Sequence, residues 1–158
     1  MLVEISDLYW FYDGLSKKTA FYCVDTGECF YEDEDMYTQF KDILSFIEVP
    51  KSGNLSDNKK FISLSEDPAM LKLLDISDHA EFARAFHGYV NDFGLFDLWC
   101  DYAKLFRKRE LVNWCNIHGL EWVDNHLTEQ DAEIDTIDFP EEIRKALEKN
   151  DDNTNIHG

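Results

Sequence analysis

The chain reads as an α+β domain: a small antiparallel sheet of about three strands near the N-terminus, packed on a mainly helical C-terminal half. Two aromatic runs, residues 19–25 and 28–32, flank the turn Asp25-Thr26-Gly27, whose carboxylate and glycine suit a tight hairpin. Residues 85–122 then carry large apolar side chains at intervals of three and four, the period of an amphipathic helix. Apolar residues make up 44% of the 158-residue chain and aromatics 15%, enough to form an interior without a disulfide or structural metal. The expectation is one domain over residues 1–149 and a disordered tail over 150–158.

Ser6 is placed to cap a short first helix whose Leu8, Phe11, Tyr12 and Leu15 share one side, with Gly14 near its end. The hairpin runs from about Thr19 to Tyr31. Met36, Phe40, Ile43, Leu44 and Ile47 recur at helical spacing until Pro50, and the polar run over residues 51–60 has no periodicity and predicts a loop. Phe61-Ile62-Ser63-Leu64 alternates as a third strand would. Asp67-Pro68 supplies a cap and first-turn proline for a short helix through Leu74. Asp78 with Glu81 resembles a capping box for a helix facing inward through Phe82, Phe86, Tyr89 and Val90, punctuated by Gly94. Leu95, Trp99, Tyr102 and Phe106 stripe a long helix ending near Gly119, and Trp99 and Trp114, fifteen residues apart, can face one core or one groove. Phe86, Trp99, Tyr102 and Phe106 are expected in the core. Residues 124–138 are acidic and weakly patterned, and Pro140 opens a last helix with Ile143 and Leu147 on its inner side.

The charge is extreme. Against 15 Lys and Arg stand 33 Asp and Glu, a formal charge of -18 that repels nucleic-acid phosphates and anionic lipid heads, so direct nucleic-acid binding is disfavoured. Two tracts lack any Lys or Arg. The first holds Asp25, Glu28, Glu32, Asp33, Glu34 and Asp35; the second, over residues 121–142, includes Glu129, Asp131, Glu133 and Asp135. Such surfaces attract a protein partner with a basic face, and solubilisation alone is the competing use. Glu32 to Asp35, with Glu129, Asp131, Glu133 and Asp135, are therefore the candidate partner-binding residues. The compact basic cluster Arg107-Lys108-Arg109 falls late in the long helix, where it pairs with nearby acids or complements the helix C-terminus.

No catalytic or cofactor-binding set emerges. His79, His87, His118 and His126 do not form a metal-ligating pair on one helical face, and Cys23, Cys29, Cys100 and Cys115 contain no Cys-x-x-Cys pair, so the thiols are expected reduced and without metal. The first residues have no basic segment followed by an apolar run, and no later window approaches the ~18 consecutive apolar residues of a membrane span. A cytoplasmic protein is expected.

The segment Tyr22-Cys23-Val24-Asp25-Thr26-Gly27-Glu28, the strand-like Phe61-Ile62-Ser63-Leu64, and then Ala85-Phe86, Tyr89, Asn91, Gly94-Leu95, Trp99, Tyr102, Trp114 and Gly119-Leu120 follow the order of motifs in the bacterial UPF0158 family, which this chain resembles over roughly residues 5–122. The resemblance implies an α+β architecture and speaks to architecture more than to activity, because the shared turn and aromatic positions are mostly structural in kind and the family's function is uncharacterised. The paired arginines that relatives carry beside Ala-Phe are absent at His87-Gly88. The expected function is an acidic protein-binding domain without catalysis. Two alternatives stand beside it: an acidic nucleic-acid mimic that inhibits a nucleic-acid-binding defence or restriction protein, and a hydrolase using Asp or Glu.

Overall fold

A computed structural model describes residues 2–12, 17–51, 56–125 and 129–157, with side chains described as far as residue 149 except at 130 and 131. In chain order the elements are β1 (Val3–Glu4), α1 (Ile5–Tyr12), β2 (Ala20–Cys23), β3 (Cys29–Tyr31), α2 (Asp35–Phe40), β4 (Phe46–Glu48), α3 (Ser56–Ser65), α4 (Pro68–Leu71) with a 3-10 turn (Lys72–Asp75), α5 (His79–Asp92), α6 (Phe96–Ile117), β5 (Trp122–Val123), α7 (Glu129–Ile134) and α8 (Phe139–His157). The three-stranded antiparallel sheet of the N-terminal half and the mostly helical C-terminal half make the α+β class. Packing divides the chain into two compact units, Met1–Gly53 with Arg107–Thr128 and Asn54–Phe106 with Glu129–Gly158. That division is invisible in the sequence read as one domain. Leu15, Gly14 and His126 lie outside the described residues.

In the first unit the hairpin forms where expected. Gly27 has φ +77°, the left-handed conformation that glycine adopts without a Cβ clash, and its N–H donates to Cys23 C=O at 2.8 Å. The third strand is elsewhere than expected. β4 pairs antiparallel with β2, Tyr22 opposite Ile47, giving the order β3-β2-β4. The helix expected over 36–47 therefore stops at Phe40, and Ile47 belongs to a strand. Asp25 helps to settle this: its carboxylate accepts from Ser45 N–H at 2.7 Å while Val24 N–H donates to Ser45 C=O, fixing the start of β4 beside the hairpin.

The core of this unit gathers Val3, Ile5, Leu8, Tyr12, Ala20, Tyr22 and Val49 with Leu111, Trp114 and Cys115 from the second half of α6. Trp114 meets the Tyr22 ring edge to face at 6.1 Å, and its indole N–H donates to Glu48 C=O at 2.8 Å. An unforeseen parallel pair joins β1 to β5, Val3 opposite Trp122. Ser6 is not a cap. It is the second residue of α1, its hydroxyl buried without a hydrogen-bond partner among the described residues, and its N–H is satisfied by the Asn125 side-chain carbonyl at 3.0 Å.

In the second unit, Phe61 and Ile62 are both fully buried, which two neighbours on a strand facing one core cannot be, because they would point to opposite sides. Residues 56–65 instead form α3, a correction both to the strand over 61–64 and to the end of the loop over 51–60. Asn58, Phe61, Ile62 and Ser65 repeat at three and four on its buried side. Asp67 caps α4 by accepting from Met70 N–H at 2.9 Å and also receives the Tyr89 hydroxyl at 3.0 Å. Asp78 caps α5 through Glu81 N–H at 2.9 Å. Gly94 (φ +66°) and Gly119 (φ +65°) end α5 and α6, each followed by a leucine whose N–H reaches back, Leu95 to Val90 C=O and Leu120 to Cys115 C=O.

Phe86 and Tyr102 are buried as expected, whereas Trp99 and Phe106 are half-buried at the margin of the core. Trp99 packs edge-on against Phe86 at 5.1 Å and belongs to this core, while Trp114 belongs to that of the first unit, so the two tryptophans do not share one. Helix α8 continues through residues 150–157, where a disordered tail is expected from composition, as an established helix adds a backbone bond for each residue fixed.

Phe61 touches the rings of Phe86, Trp99 and Tyr102. Phe61→Ala is expected to lower unfolding free energy by about 3–5 kcal/mol in urea titrations. Ser63 is exposed on α3, so Ser63→Ala should be more stable than Ser63→Val by ~0.5 kcal/mol. The reverse order is what a strand would give.

Candidate functional site

Strand alternation puts Ala20 and Tyr22 of β2 into the core and Phe21 on the other sheet face. There Phe21, Phe30 of β3 and Phe46 of β4 line up beneath Tyr37 of α2, which stacks on Phe21 at 4.1 Å and meets Phe46 edge-on at 5.2 Å. All four rings are half-buried, and Phe40, at the end of α2, and Ile43, between α2 and β4 in the chain, are exposed. This aromatic face is bordered by the first acidic tract. Glu28, Glu32, Asp33, Glu34 and Asp35 are exposed; Glu32, Asp33 and Glu34 form the turn that leads from β3 into α2, and Asp35 is the first residue of α2. Lys18 reaches Asp33 at 2.6 Å, and that hydrogen bond with its charge holds the Asp33 carboxyl below its ordinary range. Both partners are solvated, so the pair adds little to stability. Asp25 stands apart, engaged at β4.

The second tract is divided. Asp124, in the first unit, pairs with Lys108 at 2.9 Å, both largely shielded, and Arg107 lies over the Tyr12 ring at 5.9 Å, so two of the three clustered basic residues are engaged locally. In the second unit Glu129 and Glu133 are exposed on α7 and Asp135 is exposed just after it, while the Asp131 side chain lies outside the described residues. Asp138 accepts from Glu141 N–H at the start of α8, Glu141 and Glu148 pair with Arg144, and Glu142 faces Lys145 at 3.5 Å. Arg144 draws the Glu141 carboxyl down through its hydrogen bond. Asp33 and Glu141 thus move away from the raised values of a general acid.

Sequence reasoning missed a groove in the first unit. About 440 Å³ in volume, it is lined by Val3, Glu4, Asp7, Leu8, Glu28 and Cys29 among others, so β1 and α1 form one wall and the start of β3 the other. The only sequence signal was Cys29 set between Glu28 and Phe30. A second cleft of about 480 Å³ lies between the α3–α4 turn and α8, where Glu66 adopts φ +56°.

All four cysteines are free thiols. Burial, then the charge of Asp7, pushes Cys29 up to about 12, and burial raises Cys115 to about 11. These thiols stay protonated at neutral pH and are weak nucleophiles. Among the described residues no group of three or more His, Cys, Asp or Glu could hold a metal ion, and no helix is long and apolar enough to cross a membrane.

Comparison with protein-family models, curated proteins and solved structures finds no match to this chain.

The Cys29 thiol sets a pH dependence. Above its ordinary value of 9.0 the unfolded chain releases this proton, while the folded chain holds it until about 12. The unfolded state then binds fewer protons, so the thiol's contribution to stability is full below pH 9 and is lost as pH rises toward 12. Urea midpoints measured from pH 7 to 11 should fall less steeply above pH 9 for Cys29→Ala than for the parent chain.

Proposed function

We propose that this chain is a non-catalytic acidic domain that binds a protein with a basic surface. The observation that carries the reading is the exposed run Glu32, Asp33, Glu34 and Asp35, with Glu28 nearby, bordering the half-buried rings of Phe21, Phe30, Tyr37 and Phe46. Carboxylates in water steer a cationic partner and raise its encounter rate, and rigid aromatic rings supply the apolar contact that retains it. Lys18 is the one described counter-charge on the run, which leaves its field largely unneutralised. Glu129, Glu133 and Asp135 extend the acidity of the second unit and serve as additional long-range attraction. The reading places the protein in the cytoplasm and, through the motif order of its helices, beside the UPF0158 proteins.

The test uses the partner captured from the native host. Association with the parent chain should slow steeply with rising salt, and a variant carrying Glu32→Gln, Asp33→Asn and Glu34→Gln should lose association rate with little change in dissociation. Asp75→Asn, Glu81→Gln and Asp92→Asn, on the second unit, form the control. Equal kinetics for all three proteins at low salt would reduce the tract to a solubilising coat. Release of the partner by duplex DNA would place its site on a nucleic-acid groove, the mimic form of the same reading.

A further inference from the structure

Strand β3 is a sheet edge: among the described residues it pairs with β2 and with no other strand. Cys23 N–H donates to Glu28 C=O and Glu32 N–H to Thr19 C=O, so the residue pairs 23/28 and 19/32 are hydrogen-bonded. Antiparallel ladders alternate hydrogen-bonded with non-bonded pairs, which makes 21/30 the third bonded pair and turns the backbone groups of Cys29 and Tyr31 away from β2. The Tyr31 carbonyl is taken by Glu34 N–H at 3.0 Å. Among the described residues, the N–H and C=O of Cys29 have no ladder partner.

Those groups sit where Cys29 lines the groove. Across from them is β1, likewise an edge, since among the described residues it pairs with β5 alone. The floor is apolar: Val3, Leu8 and Tyr22 are buried and Phe11 is half-buried. The rim is anionic. Glu4, Asp7 and Glu28 are exposed around it, and no Lys or Arg is among the described residues that line it. A volume of about 440 Å³ is within the range of ligand clefts. An unpaired strand edge is a template for another strand, and short length with charged flanks is how proteins keep it from pairing at random. Here the flanking charges are all of one sign, so the chain that pairs must be cationic.

We propose that the groove between β1 and β3 docks an extended basic segment of a partner protein, which adds as a strand to the β3 edge. Its backbone meets the N–H and C=O of Cys29. Of its side chains, which alternate, lysines or arginines reach Glu4, Asp7 and Glu28 while the intervening apolar ones enter the floor over Val3 and Leu8. The inference rests on the reading of the protein as an acidic binding domain and assigns that reading a specific seat and a bound conformation.

The probe is a fluorescent, end-blocked octapeptide of alternating lysine and valine, followed by anisotropy at low salt. Three comparisons define the site. N-methylation of the valine amides removes backbone donors, and replacing lysine by glutamate reverses the charge; each is expected to weaken binding at least about tenfold. Asp7→Asn with Glu28→Gln should weaken the parent peptide to a similar degree, whereas Glu32→Gln with Asp33→Asn and Glu34→Gln should change it less than about twofold. Bound peptide should also slow hydrogen exchange at the Cys29 amide, a readout that overall charge attraction does not move. Equal binding of the N-methylated peptide, or unchanged exchange at Cys29, would overturn the strand-addition site while leaving the acidic-surface reading in place. No peptide binding, with tract-dependent capture of the native partner intact, has the same meaning; loss of both ends both proposals.

Discussion

Strand β2 hydrogen-bonds on both of its sides, and successive side chains of a strand point to opposite faces, so its four residues organise the whole first unit. Ala20 and Tyr22 go inward to meet Val49 and Trp114, while Phe21 goes to the other face and collects Phe30, Phe46 and Tyr37. A shift of one residue would put Phe21 in the core and the Tyr22 hydroxyl among the outer rings. Register is held at the C-terminal end of β2 by Gly27 in the turn to β3 and by the contacts of Val24 and Asp25 with Ser45, and at its N-terminal end by Glu32 N–H on Thr19 C=O and Val49 N–H on Ala20 C=O. The acidic run after β3 and the groove before it inherit their positions from that register.

The acidity of the chain is not of one kind. Asp25, Asp67, Asp78 and Asp138 accept backbone N–H groups at a strand start or at helix N-termini, where a carboxylate satisfies donors that the regular structure leaves open. Glu141, Glu142 and Glu148 lie along α8 beside Arg144 and Lys145, and Asp124 holds Lys108. Apart from these, Glu4, Asp7 and Glu28 around the β3 edge and Glu32 and Glu34 in the turn that follows it are exposed to solvent. The proposed use of negative charge lies there, close to half-buried aromatic rings and to a strand edge.

Elements governed by short-range chemistry were legible in the amino-acid order. The hairpin followed from Asp25-Thr26-Gly27, α4 and α5 from their aspartate caps, and the ends of α5 and α6 from Gly94-Leu95 and Gly119-Leu120, because each signal acts within about five residues. The candidate acids at 32–35 were equally visible, since exposure of a charged run follows from solvation. What resisted reading was set by partners far along the chain. Phe61-Ile62-Ser63-Leu64 suits a strand locally, yet α3 forms because burying Phe61 and Ile62 on one core requires a helix. Ile47 suits a helix locally, yet β4 forms because β2 has a second edge to pair.

The sequence by itself determined the class of the protein, its acidity, its turns and most helix ends, all of which depend on composition or on neighbours within a turn or two. Only the tertiary structure decided which run became the third strand, that β1 and β5 pair across more than a hundred residues, that Trp99 and Trp114 serve different cores, and that a groove opens beside Cys29. The reason is physical. Pairing edges and closing cores depend on which distant surfaces meet, and a short apolar run suits either a helix or a strand until that partner is in place.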